Sequence, residues 1–195
     1  MNIARRIRGL ILSPKEEWEI IEAEDKSVLD LYREYIVYLA LIPPFASCLS
    51  AYFFGVPRAA AHGVEQISLT GGLVRAGFQY LLSLPMLYLV AFVISMIAPY
   101  FDGKTDDKRA LTLAAYSYTP AWLASAFGLI PGLRWVDIVG FYGLYVFYYG
   151  LPRMMKCPRD HADVLSLTVL VLSVATSALH AWIVRLAVPW TAFTN

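Results

Sequence analysis

Ser173, Ser177 and His180 follow one another at i, i+4 and i+7 inside an otherwise apolar run, a spacing that places two hydroxyls and an imidazole on one face of a helix. Two kinds of chemistry suit such a stripe. It can wall a hydrated cavity or proton path, with the imidazole as the titrating group. It can equally serve packing, with small residues admitting a neighbouring helix and the polar groups hydrogen-bonding to it. No acidic residue lies deep in an apolar run to partner the histidine. Asp137 stands at the edge of another such run, just after Arg134 and Trp135, where a carboxylate stays hydrated, caps a helix N-terminus and pairs with the neighbouring arginine. A third constellation, Arg153, Lys156 and Arg159, follows a Gly-Leu-Pro step. It is expected to meet the phosphates of an anionic leaflet, at about 1 kcal/mol per basic residue.

Enzyme signatures are missing from the chain. It has no glycine-rich phosphate loop, no His-Glu-x-x-His, no Gly-x-Ser-x-Gly and no pair of intramembrane aspartates, the arrangements that phosphoryl transfer, metalloproteolysis, acyl transfer and aspartyl proteolysis require. Asp102, Asp106 and Asp107 are too irregular for a calcium loop and are flanked by lysines, so they are expected to form a solvated turn. The expected activity is non-enzymatic, with no cofactor and no bound metal.

The elements that must position these residues follow from composition. Of 195 residues, 58% are hydrophobic and 16% charged, against roughly 45–50% and about 25% in soluble domains. The formal charge of +1 is too balanced for a nucleic-acid binder. Cys48 and Cys157 are too few for a disulfide framework. A spanning helix needs about 20 mostly apolar residues, and five runs qualify: 35–54, 78–99, 111–130, 135–151 and 164–188. The expectation is an all-α, five-transmembrane-helix bundle over residues 35–195, preceded by a cytoplasmic amphipathic segment, residues 1–34. Pro43, Pro44, Pro85 and Pro120 fall inside the first three runs, where each removes a backbone donor and favours a kink.

Five spans put the termini on opposite sides of the membrane. With the N-terminus inside, twelve of the 16 Lys and Arg residues fall on the cytoplasmic side, and Arg58, Arg75, Arg134 and Arg185 on the other. This bias predicts a cytoplasmic N-terminus and an external C-terminus. The basic start is followed only by residues 9–12 before Ser13-Pro14, shorter than a signal-peptide core. Ile3, Ile7, Leu10 and Ile11 share one helical face, with Arg5, Arg6 and Arg8 toward the other. Such a face suits the headgroup plane. Ser13, Pro14 and Glu16 form a capping-box signature for the next helix, on which Trp18 is expected to be an interfacial anchor.

Three stretches together resemble one family: residues 11–18 (Ile-Leu-Ser-Pro-Lys-Glu-Glu-Trp), 115–120 (Ala-Tyr-Ser-Tyr-Thr-Pro) and 149–158 (Tyr-Gly-Leu-Pro-Arg-Met-Met-Lys-Cys-Pro). In order and spacing the chain is similar to the bacterial branch of the Yip (Ypt-interacting protein) family of five-span membrane proteins. The resemblance implies an inner (plasma) membrane protein whose eukaryotic relatives act in vesicle traffic by engaging Rab GTPases and one another. Those relatives carry an Asp-Leu-Tyr-Gly-Pro-like motif, whereas here Asp30-Leu31-Tyr32 is followed by Arg33-Glu34. The family supplies no catalytic residues. The expected role is a membrane adaptor, organiser, or assembly or trafficking factor, with anionic lipid headgroups, other membrane proteins or a second copy of itself as partners. The alternative is a small transporter or channel lined by Ser173, Ser177 and His180.

Overall fold

The computed structural model describes residues 2–24, 26–57, 64–189 and 192. Helix α1 (Ile3–Leu12) is capped by Asn2, whose side chain accepts from the Arg5 amide at 3.1 Å. Helix α2 (Pro14–Ala23) starts where the sequence predicts, with proline in its first turn. The reciprocal capping box does not form, because Ser13 makes no side-chain cap bond. Proline already supplies the favourable start, since its missing N–H is one the first helical turn leaves unpaired anyway.

The first apolar run divides into α3 (Val28–Leu31), a π-helical turn (Tyr32–Ile36), α4 (Val37–Leu39) and α5 (Ile42–Phe54). The break between α4 and α5 falls immediately before Pro43 and Pro44, which occupy the first turn of α5, where a missing donor costs nothing. A short antiparallel ladder, β1 (Val56–Pro57) with β2 (Val64–Glu65), follows. Gly55 enters it with φ +72°, and a Cβ there would stand 2.8 Å from the Glu65 carbonyl oxygen, so the turn needs glycine.

Helix α6 (Leu69–Ile97) begins well before residue 78 and runs unbroken through Pro85. The third run is α7 (Asp107–Ser117), α8 (Thr119–Ser125) and a 3-10 turn (Ala126–Leu129), with the break at Tyr118, two residues before Pro120. The fourth opens with an 11-residue 3-10 segment (Pro131–Phe141) before α9 (Tyr142–Met154), and α10 (Arg159–Ala187) closes the fold. Runs of 3-10 helix that long are unusual because their hydrogen bonds are poorly aligned.

Among the described residues, three helical stretches are long and apolar enough to cross a membrane: Val28–Phe54, Leu69–Phe101 and Asp160–Ala187. The fold is nearly all-α. Helix α6 packs against α5, α7 and α10, while α9 packs against α2, α7 and α10. One apolar core joins the N-terminal segment to the bundle, with Leu10, Trp18, Ile21 and Leu31 in the same cluster as Ile94, Leu113 and Leu151.

Candidate functional site

The three stretches that carry the family resemblance meet at the end of the bundle occupied by α1 and α2. Trp18 is fully enclosed. Its indole N–H donates to the Val146 carbonyl oxygen at 2.8 Å, and its ring meets the Tyr116 ring edge-on, with centroids 6.1 Å apart. Gly150 lies directly against it: a Cβ there would stand 2.5 Å from Trp18 Cε2 and Cζ2 and 2.7 Å from Leu113 Cδ1. Only a residue without a side chain leaves room for the indole. The expected interfacial tryptophan is therefore a core residue, because α9 offers its apolar body a slot and its N–H a carbonyl, the two things a buried tryptophan needs.

Tyr116 is the hub of this junction. Tyr35 packs edge-on against it at 4.8 Å, and the Arg6 guanidinium lies 5.5 Å from its ring centroid, within reach of a cation–π attraction. The Tyr35 hydroxyl sits 2.7 Å from Thr119 Oγ1, which in turn lies 3.4 Å from the Ala115 carbonyl oxygen. These hydroxyls bind across the α7–α8 break that Pro120 accompanies. Arg6, expected on an outward face, is buried and pairs with Glu17 at 2.5 Å and with Glu24. Burial demands that pairing, since an isolated charge in the core is far costlier than a hydrogen-bonded pair.

At the rim, Arg153 pairs with Glu19 and, at 3.5 Å, with Glu22, while Lys156 also pairs with Glu22. The hydrogen bond from Lys156, reinforced by its charge and by Arg153, holds the Glu22 carboxyl below its usual range. Two of the three expected lipid-facing cations thus lie on the glutamates of α2. The Arg159 side chain lies outside the described residues. Spacing could not reveal these partners, because Glu19 and Glu22 are more than 130 residues from Arg153 and Lys156 in the chain.

The intramembrane polar candidates are brought together elsewhere. A cavity of about 320 Å³ is lined by Asp137, Ser173 and Ser177 together with Ser117 and Tyr118. A second, of about 630 Å³, is lined by Asp137, Ser177 and His180. Tyr118 shares the wall of the smaller cavity with Ser173 and Ser177, and His180 Nε2 lies 3.1 Å from the Gln79 carbonyl oxygen, so that nitrogen is the donor. The stripe on α10 is therefore tied to α6 through His180, and it faces the α7–α8 break across the smaller cavity. Tyr118 was the missed member. It lies in the stretch 115–120 quoted for the family resemblance, but nothing in its spacing pointed to α10. Among the described residues no group of His, Cys, Asp and Glu could hold a metal ion.

A family model described as the Yip1 domain matches residues 8–180. The chain is 23% identical over 175 residues to "Inner membrane protein YohC" of Escherichia coli (strain K12), an alignment spanning 85% of this chain and 89% of that one. The protein of the same name from E. coli O6:H1 matches to the same extent. No solved structure matches the chain.

Proposed function

This chain belongs to the Yip1 domain family, and on that premise we propose that it is a five-span protein of the inner membrane that works without catalysis, as an adaptor, organiser or assembly factor for other membrane proteins. The five-span count is supported by the third and fourth runs. Residues 107–129 and 131–154 are nearly continuous helix, about 35 and about 41 Å long at helical rise, enough for a hydrocarbon core of about 30 Å. The charge bias puts the N-terminus and the Arg153 loop in the cytoplasm.

The observation that carries this proposal is the junction itself. Three segments from distant parts of the chain lock α1 and α2 onto the bundle through the Trp18–Gly150 slot, the Tyr116 hub and the Arg153, Lys156, Glu19 and Glu22 pairs. What they build is a fixed polar face rather than a reaction centre. Exposed Arg5, Arg8 and Lys15 on the same helices supply contact with anionic headgroups.

The test is crosslinking capture from native membranes, with quantitative mass spectrometry of proteins and retained lipids. The parent is compared with a variant neutralised at Arg153, Lys156 and Arg159 and with one carrying Glu19→Gln and Glu22→Gln. A partner lost from both variants supports recognition of the assembled face. Capture indifferent to both sets of charges refutes it.

A further inference from the structure

The polar groups around the two cavities divide sharply into satisfied and open ones. Ser83 donates to the Tyr80 carbonyl at 2.7 Å, Ser125 to Trp122 at 2.6 Å and Thr176 to Leu172. His180 is engaged by the Gln79 carbonyl. Two groups remain. Ser117 is more than nine-tenths buried, and its hydroxyl has no hydrogen-bond partner. Asp137 lines both cavities and is exposed, and no described side chain pairs with it. Both groups sit on the wall of the smaller cavity, beside Tyr118, Ser173 and Ser177, and the rest of its lining is largely apolar, with Val90, Ile94, Phe147, Val169 and Leu170 among it.

We propose that this pair of cavities, between α6, α7, α8, α9, α10 and the 3-10 segment that carries Asp137, is a binding site for an amphiphile with a primary ammonium head and an aliphatic tail. Sites for small molecules are typically cavities of about 300–1,000 Å³ with apolar walls and a few convergent polar groups, and these two fit that description. A carboxylate accepts hydrogen bonds and offers none, so a positive, donor-rich head suits the exposed Asp137 at the edge of the cavities, while the apolar lining suits an aliphatic tail. An ammonium brings three donors, enough for Asp137 and for an otherwise unpaired hydroxyl such as Ser117. The break at Tyr118 and the long 3-10 segment place both groups on the cavity wall. The buried Ser117 hydroxyl left without a partner costs free energy, and a ligand removes that cost. This proposal does not depend on the adaptor function.

The shared chemistry is an alkyl ammonium, available either as a phosphatidylethanolamine headgroup or as a free long-chain amine. The probe is hexadecylamine carrying a diazirine, applied to the full chain in phosphatidylcholine nanodiscs, with the matching hexadecanol as neutral control. The amine is expected to label peptides carrying Tyr118, Asp137 or Ser173, with competition by unlabelled hexadecylamine. Asp137→Asn should weaken its binding about tenfold or more, the loss of one charge-assisted hydrogen bond, while Asp137→Glu retains it and hexadecanol does not distinguish the variants. Leu170→Trp, which adds bulk to a half-buried residue of the smaller cavity's wall, should also abolish labelling; its thermal midpoint and elution volume show that it is folded. Native mass spectrometry of protein from native membranes separates the two sources. Retained phosphatidylethanolamine that is lost in Asp137→Asn identifies the headgroup, and amine binding without retained lipid identifies the free amine. Labelling unchanged in Asp137→Asn, or confined to the outward-facing Leu167 and Val171, overturns the proposal.

Discussion

Gly150→Ala adds a single methyl group where the structure has no room for one. The new Cβ would stand 2.5 Å from two atoms of the Trp18 ring and 2.7 Å from Leu113, whereas apolar carbons sit best about 3.5–4.0 Å apart. The indole must retreat by about 1 Å, and its hydrogen bond to Val146, one turn earlier on α9, stretches with it. Overpacking of this kind costs about 1–3 kcal/mol, and the weakened hydrogen bond about 0.5–1.5 kcal/mol. Replacing glycine inside a helix returns up to about 1 kcal/mol. The expected net loss is therefore about 1–3 kcal/mol.

Trp18→Ala alone should cost about 3–5 kcal/mol, as removal of a fully buried tryptophan does. With the ring gone, Gly150→Ala meets only the flexible tip of Leu113, so its effect should vanish or become stabilising. The assay is equilibrium unfolding in detergent of the four members of this double-mutant cycle, with protease cleavage after Arg8 and Lys15 reporting release of the N-terminal segment. The expected coupling is about 2–3 kcal/mol, and the two substitutions must not add. Additivity within about 0.5 kcal/mol would refute the account of Trp18 as the key of the junction.

Three further outcomes are expected. Arg6→Met strands Glu17, whose side chain is only 11% exposed, and should cost about 3–5 kcal/mol in unfolding experiments, as breaking a buried pair does; Arg6→Met with Glu17→Leu should recover most of that loss, and failure to recover it would count against pairing as the cause. Because the Glu22 carboxyl is held below its ordinary value of 4.5, its contribution to stability is complete above that pH and is lost as pH falls through the depressed value. The parent should thus lose stability in acid more steeply than Glu22→Gln, and parallel pH profiles would contradict this. Arg75 donates to the carbonyls of Val184, at 3.2 Å, and Val188 at the end of α10, so Arg75→Gln should speed amide exchange in the last turn of that helix in nanodiscs while leaving its first turn unchanged.

What the sequence made legible is what depends on neighbours along the chain. Apolar runs, the prolines that interrupt them and the i, i+4, i+7 polar stripe are local properties, and the structure places breaks beside Pro43, Pro44 and Pro120. Pro85 produces none. Its missing donor lies within a 29-residue helix packed against α5, α7 and α10, and packing outweighs one absent hydrogen bond.

The less legible contacts are those whose two halves lie far apart in the chain. Trp18 has the composition of an interfacial anchor, and only Gly150, 132 positions later, makes it a core residue. Arg153 and Lys156 have the composition of a lipid-binding loop, and only the glutamates of α2 turn them into half of a joint. Each of the three stretches behind the family resemblance is chemically unremarkable when taken alone. Brought together, they are one object: an indole, the glycine that admits it, the tyrosine that supports it and the charges that close the rim. A single substitution in any of them is thus expected to act on the other two. That is why their order and spacing, rather than any catalytic signature, were the informative features of the sequence.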